Sequence, residues 1–92
     1  MAKIFILNRQ WFSKQAGNTL QSTKVYVSDV KVYDKVNNGY GEQYLSESID
    51  GIRDILGIPE KLKKWQAVEW LEENGHAVVA YSHEVSKRSD LE

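Results

Sequence analysis

Residues 3–7, Lys-Ile-Phe-Ile-Leu, are apolar at four successive positions, which predicts a strand covered or nearly covered on both faces. Aromatic character continues through Trp11-Phe12. Gln15-Ala16-Gly17-Asn18 then supplies turn chemistry, because Gly17 and Asn18 both tolerate positive φ. The first strand is therefore expected to run to Phe12, with a connection centred on Gly17-Asn18. Thr23 to Val36 alternates β-branched or aromatic residues with charged ones, the mark of a half-solvated antiparallel sheet. The alternation changes phase at Ser28-Asp29. A slip of one residue flips every side chain, so a turn fits there better than one long strand. Two paired strands are expected, over 21–28 and 30–36.

Asn37-Asn38-Gly39-Tyr40-Gly41 is a strong breaker, and the period then changes from two to that of a helix. Leu45, Ile49, Ile52 and Ile55/Leu56 form one apolar stripe, with Glu42 near the helix start and Gly57 where a left-handed stop belongs. A second helix is expected from Pro59 to Asn74, burying Ile58, Leu62, Trp65, Val68 and Leu71 and leaving Trp70 outside that arc. The last strand is Ala77 to Tyr81, extending toward Val85, and the polar Ser86–Asp90 stretch is expected to fray. The order β-β-β-α-α-β predicts an α+β fold: an antiparallel-dominated four-stranded sheet with two helices packed on one face. The opposite face is expected to stay open to solvent, with Lys24, Tyr26, Lys31, Tyr33 and Lys35 as its candidate residues.

The chain has 92 residues, 41% of them hydrophobic and 27% charged, which fits one globular domain over 1–90. The closing Leu91-Glu92 pair reads as a cloning scar. Cysteine is absent, so disulfides, thiolate catalysis and Cys-based zinc sites are excluded. The first apolar run is too short for a signal peptide or a membrane span, and a cytoplasmic protein with no membrane partner is expected. Formal net charge is −1. Near-neutrality argues against a large electrostatic footprint for nucleic acid or lipid.

Candidate chemistry is sparse. His76 and His83 fall in no metal-binding pattern, and on one strand they would point to opposite faces. Glu47, Asp50 and Asp54 read as a solvated helix face beside Arg53, with nothing to bury them. Gly39-Tyr40-Gly41 could cradle an anion, but Tyr44 stands where a dinucleotide fingerprint needs glycine, so a turn is the better reading. Lys61, Lys63 and Lys64 oppose the helix dipole if they open the second helix, and either an anionic partner or nearby glutamates would explain them. Trp11, Tyr40, Tyr44 and Trp70 are the rings that the apolar stripes do not bury; they either fill the core or anchor an interface. No serine or threonine has a companion base. No catalytic residue, metal ligand or cofactor is assigned.

Three stretches, Arg9-Gln10-Trp11-Phe12, Gly17-Asn18-Thr19 and Gly39-Tyr40-Gly41-Glu42-Gln43-Tyr44, resemble a group of small phage and prophage proteins. Their pattern is R-x-W-F, G-N-T, a hairpin, then Y-G-Y-G-[DE]-x-Y, and Asn38 replaces the first Tyr of the last motif. The likeness spans residues 4–56. It implies a bacterial or phage cytosolic setting and a local cluster of Arg9, Trp11, Asn18, Tyr40 and Tyr44, but no activity. The expectation is thus a non-catalytic binding or interaction protein of phage or prophage type, with a protein partner or a homodimer. The alternative is a nucleic-acid-binding module using Lys24, Lys31, Lys35 and the Lys61, Lys63, Lys64 cluster with interleaved tyrosines; a small enzyme ranks last.

Overall fold

The hydrophobic pattern is realised as six elements in a computed structural model that describes residues 2–15, 17–39, 41–87 and 91. They are β1 (Lys3–Ser13), β2 (Asn18–Val27), β3 (Val30–Asn38), α1 (Gln43–Leu56), α2 (Lys64–Glu73) and β4 (Ala77–Glu84). The strands form one mixed sheet in the order β3-β2-β1-β4. β1–β2 and β2–β3 are antiparallel, and β4 returns parallel to β1 after the helices.

The β2–β3 turn falls where the phase change requires it. Val27 pairs with Val30, and Ser28 and Asp29 both adopt positive φ, at 50° and 70°. That is the two-residue hairpin geometry whose twist matches the strands it joins. Between Val25 and Tyr26 the β2–β3 register slips. Val25 faces Tyr33 but Tyr26 faces Lys31, so β3 carries one extra residue and everything beyond it changes face. This bulge corrects the expected open face. Tyr33 and Lys35 lie on the helix side, whereas Lys24, Tyr26 and Lys31 lie on the other.

Both helices pack on the same side of the sheet. Ile4, Ile6 and Val25 are fully buried there with Leu45, Ile49 and Ile52 of α1 and Ala67 and Leu71 of α2, while Val78 and Ala80 of β4 pack against them. Gly51 lets α1 lie flush on β3: a Cβ there would stand 2.5 Å from the Tyr33 ring. Gly57 ends α1 in the left-handed conformation (φ 69°) as its position predicts, and its N–H bonds the Arg53 carbonyl.

The second helix begins later than its pattern suggests. Pro59 does not start it; its carbonyl instead accepts the Leu62 N–H in a turn, and Lys63 is extended before Lys64 begins α2. The Arg53 guanidinium donates to the carbonyls of Pro59 and Leu62 and pins this connection to α1. With the first turn lost, the buried face of α2 recentres on Ala67, Val68 and Leu71. Trp65, expected inside the arc, is 51% exposed, and Trp70, expected outside it, packs partly on the core. Ser86 and Lys87 are exposed, whereas residues 88–90 of the tail expected to fray lie outside the described residues. Leu91 is only 2% exposed and is not part of the helix–sheet core.

Candidate functional site

The pairing registers convert the sheet's uncovered face into rows of side chains running across the strands. One row reads Lys31, Tyr26, Phe5, Val79; the next Asp34, Lys24, Leu7, Tyr81; the next Val36, Ser22, Arg9, His83; and a shorter one Asn38, Leu20, Trp11. Neither helix covers this face, and it is open at its first two rows; in the third, Ser22 is buried, as are Arg9 Nε and His83 Nδ1. Val79 and Tyr81 are about half exposed, and Phe5, Leu7, Tyr26 and Trp11 are partly so. The rings are mutually placed: Phe5 and Tyr26 lie 6.3 Å apart between centroids, and Tyr81 and His83 lie 5.1 Å apart, both tilted. Tilted contacts at these distances suit aromatic pairs and leave ring faces available.

Charge is sorted between the two layers. Residues 3–38 carry six bases against two acids, whereas residues 42–75 carry eight acids against four bases. Among the described residues, the open rows of this face hold Lys24 and Lys31 with Lys3 beside them and Asp34 as their one carboxylate. Asp34 bonds Lys31 at 2.9 Å, and that hydrogen bond raises the Lys31 pKa above its usual value. Overall neutrality therefore conceals a basic sheet and an acidic helical layer.

The covered face changes character along the strands. Below Ile4 and Ile6 come Asn8 and Gln10, and beside Val27 and Val25 come Thr23 and Gln21. Asn8 is fully buried and donates to Thr23 Oγ1 (3.1 Å), while its Oδ1 accepts from Ser82 Oγ (2.7 Å) and Gln10 Nε2 (3.0 Å). Gln10 also donates to the Gly41 carbonyl. Gln21 is fully buried with neither amide atom hydrogen-bonded. These are amides and hydroxyls, which position groups but do not exchange protons near neutral pH. The acids nearby are outside this network: Glu47 accepts from Asn37 Nδ2 on the rim of a cleft of about 340 Å³ between β3 and α1, with Tyr33, Lys35 and Asp50. Burial, then Glu47 and Asp50, push the Tyr33 pKa up, and burial followed by Glu42 does the same for Tyr44. Among the described residues no group of three or more His, Asp or Glu is placed to hold a metal ion, and no helix is long and apolar enough to cross a membrane.

The residues singled out by sequence are distributed rather than gathered. Arg9 and Trp11 lie on the uncovered face of β1, whereas Tyr44 is buried in the core on α1, so the sheet stands between them. Asn18 opens β2, its amide 3.5 Å from Asn38 Oδ1, and Tyr40 lies outside the described residues. Lys61 and Lys63 are exposed in the connection before α2, and Lys64 is its exposed first residue, with φ 46°. His76 Nδ1 accepts the Ala2 N–H, a terminal tie rather than a site. Sequence reasoning missed Phe5, Leu7, Val79 and Tyr81 on the uncovered face and the whole Asn8–Gln21 network. The period-two series Ile4-Ile6-Asn8-Gln10 and Val27-Val25-Thr23-Gln21 carried the signal for the network. Comparison of the chain with protein-family models, curated proteins and solved structures finds no match.

Proposed function

We propose that this protein is a non-catalytic binding module that holds a macromolecular partner against the uncovered face of its sheet. One observation carries the reading: rings and aliphatic side chains are set in register beside lysines on a face that neither helix covers. Rows of this kind suit recognition, since rings supply contact area at low conformational cost and the cations fix orientation. Catalysis is the weaker reading, because the hydrogen-bonded buried network consists of amides and hydroxyls and the carboxylates, the half-buried Glu47 apart, stand at exposed positions. A phage or prophage protein working in a bacterial cytosol is the setting that the Arg9–Phe12 and Gly39–Tyr44 stretches favour.

The test is differential retention from a bacterial lysate. Wild-type protein, a face variant (Leu7→Glu with Tyr81→Glu) and a helix-side control (Trp65→Ala) are immobilised side by side. A macromolecule kept by the wild type and the control but lost by the face variant supports the reading. Retention that is indifferent to the face variant overturns it. Circular dichroism checks that all three are folded.

A further inference from the structure

We infer that the partner is single-stranded nucleic acid, lying across the rows formed by Phe5, Tyr26 and Tyr81 with Lys3, Lys24 and Lys31. This rests on the uncovered face being the binding surface and adds the chemical class of what it binds.

Three features of the face converge. First, its aromatic rings sit on three adjacent strands, with Phe5 on β1 flanked by Tyr26 on β2 and, one row on, Tyr81 on β4. Side chains two residues apart on one strand are separated by about 6.6–6.8 Å, so neighbouring rows present successive ring platforms. Bases stack on such rings whatever their identity, because each has a π-face. Second, the cations flank the rings. Lys3, Lys24 and Lys31 stand in the same or adjoining rows, where phosphates attached to stacked bases would lie, and Asp34 is the one acid among them within the described residues. Third, the opposite layer is acidic, so the field across the molecule points an anion to the sheet and away from the helices.

The same features disfavour other occupants. A second copy docked face to face would bring together two surfaces that each carry more lysine than carboxylate among the described residues, and like-charged surfaces are costly to oppose at an interface. A duplex keeps its bases paired and stacked and offers only their edges in its grooves, so it presents no free base faces to the rings. Unpaired bases can splay onto a flat face.

The experiment is fluorescence anisotropy with labelled 12-mers of oligo-dT and oligo-rU, and a mixed-sequence duplex of the same length, at about 50 mM salt. Binding of either single strand, at least tenfold tighter than the duplex, is expected. Tyr81→Ala and Tyr26→Ala should each weaken it about tenfold, as loss of one stacking platform does. Lys24→Glu should weaken it and flatten its dependence on salt. Trp65→Ala, on the acidic side, should leave it unchanged. Ultraviolet crosslinking of wild type, with the adduct mapped to peptides holding Tyr26 or Tyr81, gives a second readout if a variant misfolds. No binding of either single strand, equal binding of the duplex, or affinity indifferent to Tyr81 and Lys24 overturns the inference. If lysate retention still depends on the face but survives nuclease and not protease, nucleic acid is wrong and the binding module stands. If retention is also indifferent to the face, both readings fall.

Discussion

The covered side of the sheet has two ends, and they are buried by different means. At one end Ile4, Ile6 and Val25 meet the aliphatic faces of α1 and α2, and all three are fully buried. At the other, on the same strands and the same side, Asn8, Gln21 and Thr23 are buried to the same degree. Equal burial thus does not mean equal contribution. The aliphatic end gains from every Å² taken out of water, whereas the polar end gains only as far as its hydrogen bonds replace those it gave up. Asn8 replaces them through three side-chain partners. Gln21, one row away, replaces none.

The largest effect tests the aliphatic end. Ile6→Ala removes a fully buried side chain from the middle of the core cluster and should cost about 3 kcal/mol, because closely packed neighbours close the cavity only in part. Urea unfolding followed by circular dichroism reads this as a fall in midpoint at constant slope. A loss below about 1 kcal/mol would place Ile6 in a loose region and remove the contrast between the ends.

Asn8→Ala is the corresponding test at the polar end. It strands Thr23, Ser82 and Gln10 at once, and an unsatisfied buried polar group costs about 1–3 kcal/mol. Because Gln10 and Ser82 are only part-buried at these contacts and can turn to water, the expected loss is near the middle of that range, about 2 kcal/mol. Double-mutant cycles with Ser82→Ala and Thr23→Val should show coupling to Asn8 in both cases. Additive behaviour would mean the three residues are neighbours without being a network.

Gln21→Met should go the other way. The amide has no partner to lose, the replacement has a similar shape, and an unpaired buried amide is among the groups whose removal stabilises. A gain of about 1 kcal/mol in the same urea experiment is expected. A loss of that size would show that Gln21 holds a bridging group at the polar end, and Asn8 and Gln21 would then be alike.

The order of elements was readable because the chain switches period cleanly: alternation through Val36, a helical stripe from Leu45, and a left-handed stop at Gly57. The Ser28-Asp29 turn was readable for the same reason, since a phase flip in an alternating strand has a geometric consequence. The bulge opposite Val25 left no comparable mark. One extra residue in β3 preserves the look of alternation while exchanging its faces, which is why Tyr33 and Lys35 were expected on the wrong side. The start of α2 was hidden by Ile58 and Leu62, which continue the helical spacing although their backbone belongs to a turn held by Arg53. The uncovered face was legible only in part: Lys24, Tyr26 and Lys31 lie on it as expected. Its other contributors come from β1 and β4, and their placement needs strand order, which pairing sets and composition does not.

Tyr33 stands at the seam between the two ends, paired with Val25 and packed over Gly51, and it gives the smallest and most local test. Burial, with Glu47 and Asp50 beside it, disfavours its ionised form, so its folded pKa lies above the ordinary 10.0. The sign follows from which state releases the proton first. Below pH 10.0 the phenol is neutral in folded and unfolded chains alike, and its contribution is fully present. Above that, the unfolded chain ionises while the folded one resists, so stability falls as pH rises through the folded pKa and then levels. Lys31, held protonated by Asp34, acts in the same direction above 10.5, and Tyr44 adds its own share. The comparison of Tyr33→Phe with wild type therefore isolates the seam. Unfolding free energy measured from pH 8 to 11.5 should decline less steeply in the variant. Parallel curves would mean that Tyr33 is as free to ionise in the fold as out of it, and the acids on α1 would then have no hold on the residue joining the two ends.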